Sequence, residues 1–442
     1  MSTDDVARCA VSLFSGGGVG DVGVNFGAHV PVIACAEMVH ERASMLRALF
    51  PSASVHEGDI WVEKDALIST VRDRLKGARP FLLVMSPPCQ GMSSNGAGRI
   101  SAAVVKGTRP KEDQRNRLIL PALDIIDALK PDVVILENVK HMIRTEIKNE
   151  NNQTENIIDV VKRRLNGYRI ELKVIDASQY GVPQRRGRLI CIATRDMRCP
   201  ETPLHCPVTH PVPITVWEAI SHLPHLDATP FENSDSHDLF HNVPIWTDHQ
   251  HFCMRHTPMG ETAFDNMSCV RCKRTTDDKQ AVICAHCRER LPRPSILKKV
   301  ASCARCNQSF APFLTVCPAC GGGELAVEEK LRLVRAFRTA YRRMDGNRPS
   351  STLTTNSGVI SSDVKGHPYQ NRVLSVREVL MCASLSSFPG FEAPWHDVVE
   401  RTFAKIPQKT TREICGESIP CLVMCRLVEH LLNHRQSTFC NH

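Results

Sequence analysis

The stretch Ser12–Gly23, SLFSGGGVGDVG, decides the fold, because an apolar run passes directly into a glycine-rich loop. Residues Ala10–Phe14 are predicted to form a buried strand, and Asp21–Ala28 the helix that follows it. Glycines at such a junction let the backbone turn tightly and approach a ligand, with the helix N-terminus directed at it. No Gly-Lys-Ser/Thr sequence follows, so the loop is not a phosphate-cradling P-loop.

The same alternation of strand-like and helix-like segments continues to residue 195. It predicts an α/β fold with a doubly wound, mostly parallel sheet. Ligands of such sheets bind beyond the carboxyl ends of the strands. The loops after Phe14, Ala36, Met85 and Leu136 should therefore lie together. The further strands are predicted at Val30–Ala36, Phe81–Met85, Asp132–Leu136, Arg169–Ile175 and Arg188–Ala193, and helices at Glu41–Phe50, Leu118–Leu129 and Ile157–Leu165.

Two acidic residues follow neighbouring strands and suit a nucleoside. Glu37 ends the second strand, where a carboxylate accepts hydrogen bonds from a ribose diol. Asp59 ends a third short strand and is placed to accept from an adenine amino group, although either acid alone could also cap a helix or lie in a solvated turn. Together with the glycine loop they favour a cofactor such as S-adenosylmethionine at least as well as NAD.

The stretch Met85–Gly91, MSPPCQG, places a thiol behind two prolines at the end of a strand. Prolines exclude a helix there. Taken alone, Cys89 is more readily a buried thiol than a nucleophile. Its position beside the other strand ends favours a positioned nucleophile.

These pieces, in this order and across nearly the whole chain, resemble the DNA cytosine-5 methyltransferase family. The matching segments are Phe14-Ser15-Gly16-Gly17-Gly18, Glu37, Asp59, Pro87-Pro88-Cys89-Gln90, Glu137-Asn138-Val139, Gln184-Arg185-Arg186-Gly187-Arg188 and Arg372–Glu378 leading to Phe388-Pro389. The resemblance implies a class I S-adenosylmethionine-dependent methyltransferase of Rossmann-like fold, with DNA (cytosine-5-)-methyltransferase activity. It implies cofactor contacts from Phe14, Ser15, Gly16, Gly17, Gly18, Glu37, Met38, Asp59, Ile60 and Pro87.

The catalytic residues implied by the resemblance are Cys89, Glu137, Arg186 and Arg188, and the chemistry of each fits. A thiolate adding to C6 of cytosine makes C5 nucleophilic. Glu137 facing N3 and Arg188 facing O2 would stabilise the developing charge, with Arg186 supporting the loop. The target base must be flipped out of the duplex. The loop Gly91–Gly107 resembles the family's active-site loop, which closes over that base.

Four C-x₂-C pairs predict two structural zinc sites, since two such pairs complete a four-thiolate tetrahedral site. The simplest pairing is sequential, although a crossed pairing stays open. His286 is not expected to be a ligand. The eight cysteines are Cys269, Cys272, Cys284, Cys287, Cys303, Cys306, Cys317 and Cys320.

Basic residues surround these pairs, and we expect them to face DNA phosphates rather than merely to solubilise the module or to bind a protein. They are Arg271, Lys273, Arg274, Arg288, Arg290, Arg293, Lys298, Lys299 and Arg305.

The organisation predicted is a catalytic domain of residues 1–195 plus about 405–442. A smaller target-recognition domain, 196–404, contains the zinc-ribbon module at 266–323. Helices are predicted at Glu324–Met344, Ser375–Ser384 and Ser418–Leu432. The family usually has an asparagine where this chain has Glu417, so the role of that asparagine is not carried over.

Composition sets the partners and the compartment. The net charge of +8 leans towards a polyanion. No apolar run could span a bilayer and no secretory signal is evident, so twenty cysteines indicate a reducing compartment. We expect a monomer in the cytoplasm, nucleoid-associated in a prokaryote or inside the host cell if viral. The resemblance implies double-stranded DNA as the partner. It implies an enzyme that acts alone or with a cognate restriction endonuclease, in restriction–modification or in epigenetic marking.

Two alternatives stay open at this point. One is an RNA cytosine-5 methyltransferase on the same scaffold, against which the long recognition region argues. The other is a degenerate, non-catalytic zinc protein that binds DNA, against which the intact Cys89, Glu137, Arg186 and Arg188 argue.

Overall fold

The structure is a computed structural model that describes residues 6–88, 113–195, 203–311, 314–321, 325–337 and 339–437. Cys89 and the loop Gly91–Gly107 lie outside the described residues, so the predictions made for them stay predictions.

Twelve strands and eleven α-helices are described here in chain order. The strands are β1 Val6–Leu13, β2 Val32–Glu37, β3 Ser54–Glu57, β4 Arg79–Met85, β5 Val133–Asn138, β6 Glu146–Lys148, β7 Thr154–Asn156, β8 Arg169–Asp176, β9 Gly187–Thr194, β10 Ser295–Cys303, β11 Ser309–Phe310 and β12 Leu325–Leu333. The helices are α1 Val19–Val22, α2 His40–Leu49, α3 Ile60–Leu75, α4 Ile119–Leu129, α5 Ile157–Arg164, α6 Val216–Ile220, α7 Asp248–Arg255, α8 Val376–Cys382, α9 His396–Phe403, α10 Gln408–Glu417 and α11 Cys421–Ser437. Within the described ranges, none of these helices has the length and apolar character needed to cross a membrane.

The central sheet has seven strands in the order β3-β2-β1-β4-β5-β9-β8. Strands β1 to β5 pair in parallel, and β9 runs antiparallel to both of its neighbours. The register aligns Leu13 with Ala36 and Met85, and Met85 with Leu136, so the carboxyl ends of these strands share one edge. The predicted doubly wound, mostly parallel α/β fold is confirmed.

The core of the sheet consists of side chains from the inner strands and the helices that cover them. Every residue of β5 is buried, as expected for a central strand with both faces covered. Helix α4 is apolar over most of its circumference and buries eight of its eleven residues, including Leu123 and Ile126. Full burial of each such side chain contributes about 1.5–3 kcal/mol.

The helix predicted over Asp21–Ala28 has a different form. A short α-helix, α1, passes into one turn of π-helix at Gly23–Gly27. Gly23 lies directly against the first residue of α11, because a Cβ added to it would be 2.0 Å from the carbonyl oxygen of Cys421. The π-helical turn and the start of α11 therefore pack without space for a side chain at Gly23.

The chain divides into two compact units. Unit 1 comprises residues 1–223, 347–355 and 376–442, and unit 2 comprises residues 224–346 and 356–375. Residues 203–223, 347–355 and 376–404 thus pack with the central sheet, although the sequence assigned them to the target-recognition domain. The functional assignment of the two units stays a prediction.

Unit 2 has a small apolar core and depends heavily on a buried guanidinium. The core includes Trp246, Met254, Phe264 and Tyr341. Buried Arg343 donates hydrogen bonds to the backbone carbonyls of Met254, Thr257, His367 and Gln370. Those bonds join three separate segments of the unit.

The helix predicted over Glu324–Met344 is wrong. Residues Leu325–Leu333 form strand β12, which pairs antiparallel with β10 over nine residue pairs, from Ser295 opposite Leu333 to Cys303 opposite Leu325. Leu, Glu, Lys and Arg favour a helix only weakly, and tertiary pairing overrides that preference. The second cysteine cluster lies between the two strands and brings them together.

The contact between Gly23 and Cys421 gives a stability test. Gly23→Ala should lower the free energy of unfolding by about 1–3 kcal/mol, because the new methyl group meets a backbone carbonyl that cannot rotate away. Gly187→Ala is the matched control, since a Cβ there would meet nothing within 4 Å. Equal stability of the two variants in denaturant titration would contradict the close approach of Gly23 to the Cys421 carbonyl.

Candidate active site and metal centres

The loop after β1 turns through left-handed backbone conformations. Phe14, Gly16 and Gly18 have φ of 58°, 55° and 76°, and the amide of Gly18 donates to the carbonyl of Ser15 at 2.9 Å. Glycine adopts such a φ without strain, whereas Phe14 does so at a cost. A Cβ placed on Gly16 would meet nothing within 4 Å, so the loop faces open space at that residue.

Glu37 joins this loop to the next helix. One carboxylate oxygen, Oε2, accepts from the amide of Gly16 at 2.8 Å, and Oε1 accepts from the amide of Val39 at 2.9 Å. The next residue, Met38, is 69% exposed beside this buried acid. An acid with free lone pairs, an uncovered apolar side chain and an open glycine turn together fit a nucleoside, so these residues fit S-adenosylmethionine.

Asp59 lies on the same edge of the sheet and caps α3. Strand β3 aligns Glu57 with Glu37, and Asp59 follows two residues later. Its Oδ1 accepts from the amide of Trp61 at 3.0 Å, while Ile60 is buried. The capping role that sequence left open is therefore present. A contact from Asp59 to a cofactor stays a prediction.

The end of β4 is fixed from two sides. The amide of Ser86 donates to the carbonyl of Leu13 at 3.2 Å, and the side-chain amide of Asn138 donates to the carbonyl of Pro87 at 3.0 Å. The role of Asn138 was not found from sequence, where it served only as part of a motif. It holds the backbone two residues before Cys89, which itself is not described.

Glu137 and Arg188 meet at this edge. Both are largely buried, and Glu137 Oε1 lies 2.9 Å from Arg188 Nε. That distance makes an ion pair, yet Oε1 accepts no well-aligned hydrogen bond from the described residues. A buried carboxyl oxygen that keeps hydrogen-bonding capacity is available to a ligand.

Arg186 has a different environment. It is fully buried, and its Nη1 and Nη2 donate to the carbonyls of Leu353 and Gly416 at 3.0 and 2.9 Å. Its own amide donates to Asp176. These bonds join the loop before β9 to two later segments of unit 1. The guanidinium of Arg186 therefore holds backbone segments together.

The cysteines form two clusters with sequential pairing. The first contains Cys269, Cys272, Cys284 and Cys287, and the second Cys303, Cys306, Cys317 and Cys320, with the Sγ atoms of each cluster all within 4.8 Å of one another. Four converging thiols are the donor set of a structural zinc site, so both clusters could hold a metal ion. His286 is 2.9 Å from Arg274 and is not a member of either cluster.

All four C-x₂-C turns share one backbone geometry. The residue after each second cysteine has a left-handed φ, and its amide donates to the carbonyl of the first cysteine. These residues are Lys273, Arg288, Asn307 and Gly321. Backbone amides of Cys287 and His286 lower the pKa of the Cys284 thiol to about 6, whereas burial and the neighbouring thiols raise the pKa of Cys287 to about 12, so the free cluster holds both thiol and thiolate.

One of the basic residues near the clusters does not face solvent. Arg293 is 3% exposed, and its guanidinium donates to the carbonyls of Phe264, Lys279 and Ala281. The expectation that Arg293 contacts a phosphate is therefore corrected. Arg290 is partly exposed and donates to Ser295, and the other seven are exposed.

A buried acid under the glycine loop gives a pH test. Burial raises the pKa of Asp21 to about 7, opposed by a hydrogen bond from Ser12, and the unfolded value is 3.8. The folded state then holds the proton more tightly, so stability falls as pH rises from about 4 to 7 and is flat above.

Asp21→Asn should remove this dependence. Between pH 5 and 8 the wild type should lose about 2–3 kcal/mol more unfolding free energy than the variant. Exposed Asp65→Asn is the control and should behave like the wild type. Parallel curves for wild type and Asp21→Asn in urea titrations would contradict the assignment.

Comparison with known proteins agrees with this geometry. The family model for C-5 cytosine-specific DNA methylase matches residues 9–433. The type II methyltransferase M1.HgaI of Avibacterium volantium is 25% identical over 427 residues, 96% of this chain and 98% of that protein. M1.HphI of Haemophilus parahaemolyticus is 25% identical over 86% of this chain and 77% of that protein.

Among solved structures, a prophage-encoded E. coli protein described as a DNA modification methyltransferase is similar in fold. It has a TM-score of 0.51 at 18% identity, with 97% of this chain and 100% of that chain covered. Because the family model spans nearly the whole sequence, the chain belongs to the C-5 cytosine-specific DNA methylase family.

Proposed function

We propose that this chain methylates C5 of a flipped-out cytosine in a specific double-stranded DNA sequence, with Cys89 as the nucleophile. The observation that carries the proposal is the buried Glu137–Arg188 pair at the strand edge. The same edge holds the glycine loop and the end of β4, which leads into Cys89 through the anchored Pro87.

Each residue has a step in this mechanism. The Cys89 thiolate forms a bond to C6, and N3 takes a proton from Glu137, which leaves an enamine with a nucleophilic C5. Arg188 pairs with Glu137 and directs a guanidinium N–H towards O2, where negative charge develops. S-adenosylmethionine, when bound, supplies the methyl group. Loss of the C5 proton to a base such as water then expels the Cys89 thiolate, and N3 returns its proton to Glu137, which restores the ring.

The residues proposed to hold the cofactor surround the glycine loop. Glu37 accepts from the ribose hydroxyls, Met38 and Ile60 pack on the adenine, and Asp59 accepts from its amino group. Backbone groups and close packing around the cofactor come from Phe14, Ser15, Gly16, Gly17, Gly18 and Pro87. Arg186 is a positioning residue, because its guanidinium already binds two carbonyls.

Unit 2 is proposed as the target-recognition domain, with two structural Zn²⁺ ions in the cysteine clusters. Exposed cations near the clusters would contact DNA phosphates. The type II names of the relatives suggest a restriction–modification context, with a cognate endonuclease as partner. A monomeric state and a cytoplasmic location stay predictions.

Methylation in cells tests the function. Expression in a host without cytosine methylation, followed by bisulfite sequencing, should show one methylated DNA motif. Cys89→Ser should abolish the signal and the covalent complex with 5-fluorocytosine DNA. Glu137→Gln should slow transfer about 10²- to 10⁴-fold, because it cannot protonate N3. Glu146→Gln, a change of the exposed first residue of β6, should retain full activity.

Several results would contradict the proposal. Methylation found in tRNA and not in DNA would identify an RNA methyltransferase instead. A covalent complex that persists in Cys89→Ser would exclude Cys89 as the nucleophile.

Metal analysis tests the clusters separately. The wild type should contain about two zinc ions per chain. Cys272→Ser and Cys306→Ser should each lose one ion, because the two sets of thiols do not share members. Cys253→Ser changes a buried cysteine outside the clusters and should keep both ions. Loss of both ions from either single variant, or no zinc in the wild type, would refute two independent sites.

A further inference from the structure

Arg42 and Glu417 form an ion pair between two helices of unit 1. Arg42 lies in the first turn of α2, Glu417 is the last residue of α10, and their Nη2 and Oε2 atoms are 2.6 Å apart. The side chains are 25% and 36% exposed, so the pair is partly open to solvent. Glu417 occupies the position where the family usually has an asparagine.

Each of the two residues carries a charge that is unfavourable at its position in its own helix. The N-terminus of a helix carries partial positive charge and the C-terminus partial negative charge. Arg42 places a cation at the positive end of α2, and Glu417 places an anion at the negative end of α10. Each charge alone is therefore unfavourable where it lies. The ion pair therefore does not serve to stabilise the two individual helices. Its role is to join α2 to α10.

What it joins is a closed ring of contacts around the glycine loop. The amide of Gly16 binds the carboxylate of Glu37, whose other oxygen binds the amide of Val39, the residue that precedes α2. From α2, the Arg42–Glu417 pair leads to α10. Helix α10 returns to the loop through Ile414, whose Cγ2 would lie 2.5 Å from a Cβ on Gly17.

The ion pair differs from the other links of this ring. The Glu37 hydrogen bonds and the Ile414 contact are part-buried or close-packed, whereas the Arg42–Glu417 contact is partly solvated and held by charge. Such a contact opens at low cost and weakens with salt. It is the weakest link of the ring, and the end of α10 is held in addition by the hydrogen bond from Arg186 to the carbonyl of Gly416.

We infer that Arg42 and Glu417 form a latch that ties the end of α10 to α2 beside the glycine loop and so helps to retain the nucleoside cofactor. The inference rests on the proposed function, since it takes the ring to surround the S-adenosylmethionine site. Glu417 is thus a positioning residue, and it acts through Arg42 rather than by touching the cofactor.

Calorimetric titration of the full chain with S-adenosylmethionine and S-adenosylhomocysteine tests the latch. Glu417→Gln should raise both Kd values roughly two- to fivefold at low salt, while the melting temperature changes little. In 0.5 M NaCl the difference from the wild type should disappear, because the wild-type pair is then screened as well. Arg42→Gln repeats the test from the other helix if Glu417→Gln does not fold.

The charge-swapped double variant Arg42→Glu/Glu417→Arg should bind the cofactor more tightly than either single charge reversal. Arg169→Gln is the matched control, since the Arg169–Glu171 pair has the same 2.6 Å distance and similar exposures of 18% and 30% on β8, the far edge strand. It should leave both Kd values unchanged.

The outcomes separate the two proposals. A wild type that binds neither compound overturns the proposed function and the latch together. A wild type that binds both, with Glu417→Gln and Arg42→Gln equal to it at low salt, overturns the latch alone. A similar weakening in Arg169→Gln would also overturn it, because any lost ion pair would then have the same effect.

Discussion

The parallel pairing of β1 with β2 and β4, and of β4 with β5, is the constraint on which the rest of unit 1 depends. It brings Leu13, Ala36, Met85 and Leu136 to one edge. Each strand then delivers its next residues to that edge: the glycine loop, Glu37, the Pro87 turn and Glu137. The register of the backbone hydrogen bonds between the strands sets the spacing of these groups, so their positions do not depend on flexible loops.

Strand β9 completes the edge because it runs in the opposite direction. Arg188 stands at the beginning of its strand, and in a fully parallel sheet that would place it at the wrong end. Antiparallel pairing aligns Glu137 with Ile190 and so returns the start of β9 to the carboxyl end of β5. Sequence predicted that Glu137 and Arg188 act together, but only the strand direction explains how they meet.

The sequence predicted those features of the fold and the site whose residue pattern and chemistry both lie in one short segment. The glycine loop, the strand-end acids and the cysteine pairs each carry their signal within a few residues. It was less informative for Arg186 and Arg293, since a guanidinium looks the same in sequence whether it binds a phosphate or buried carbonyls from other segments. The strand Leu325–Leu333 was missed for a similar reason. Its partner strand, β10, is separated from it in the sequence by the second cysteine cluster.

The close packing of Gly23 on Cys421 has a consequence for synthesis. Unit 1 is interrupted by unit 2 and completed only by residues 376–442. The loop after β1 leaves the ribosome before unit 2 is made, whereas its covering helices α10 and α11 emerge after unit 2. A growing chain therefore exposes an unfinished half-site until both helices have been synthesised. Completion of unit 1 thus depends on segments that lie on both sides of unit 2 in the sequence.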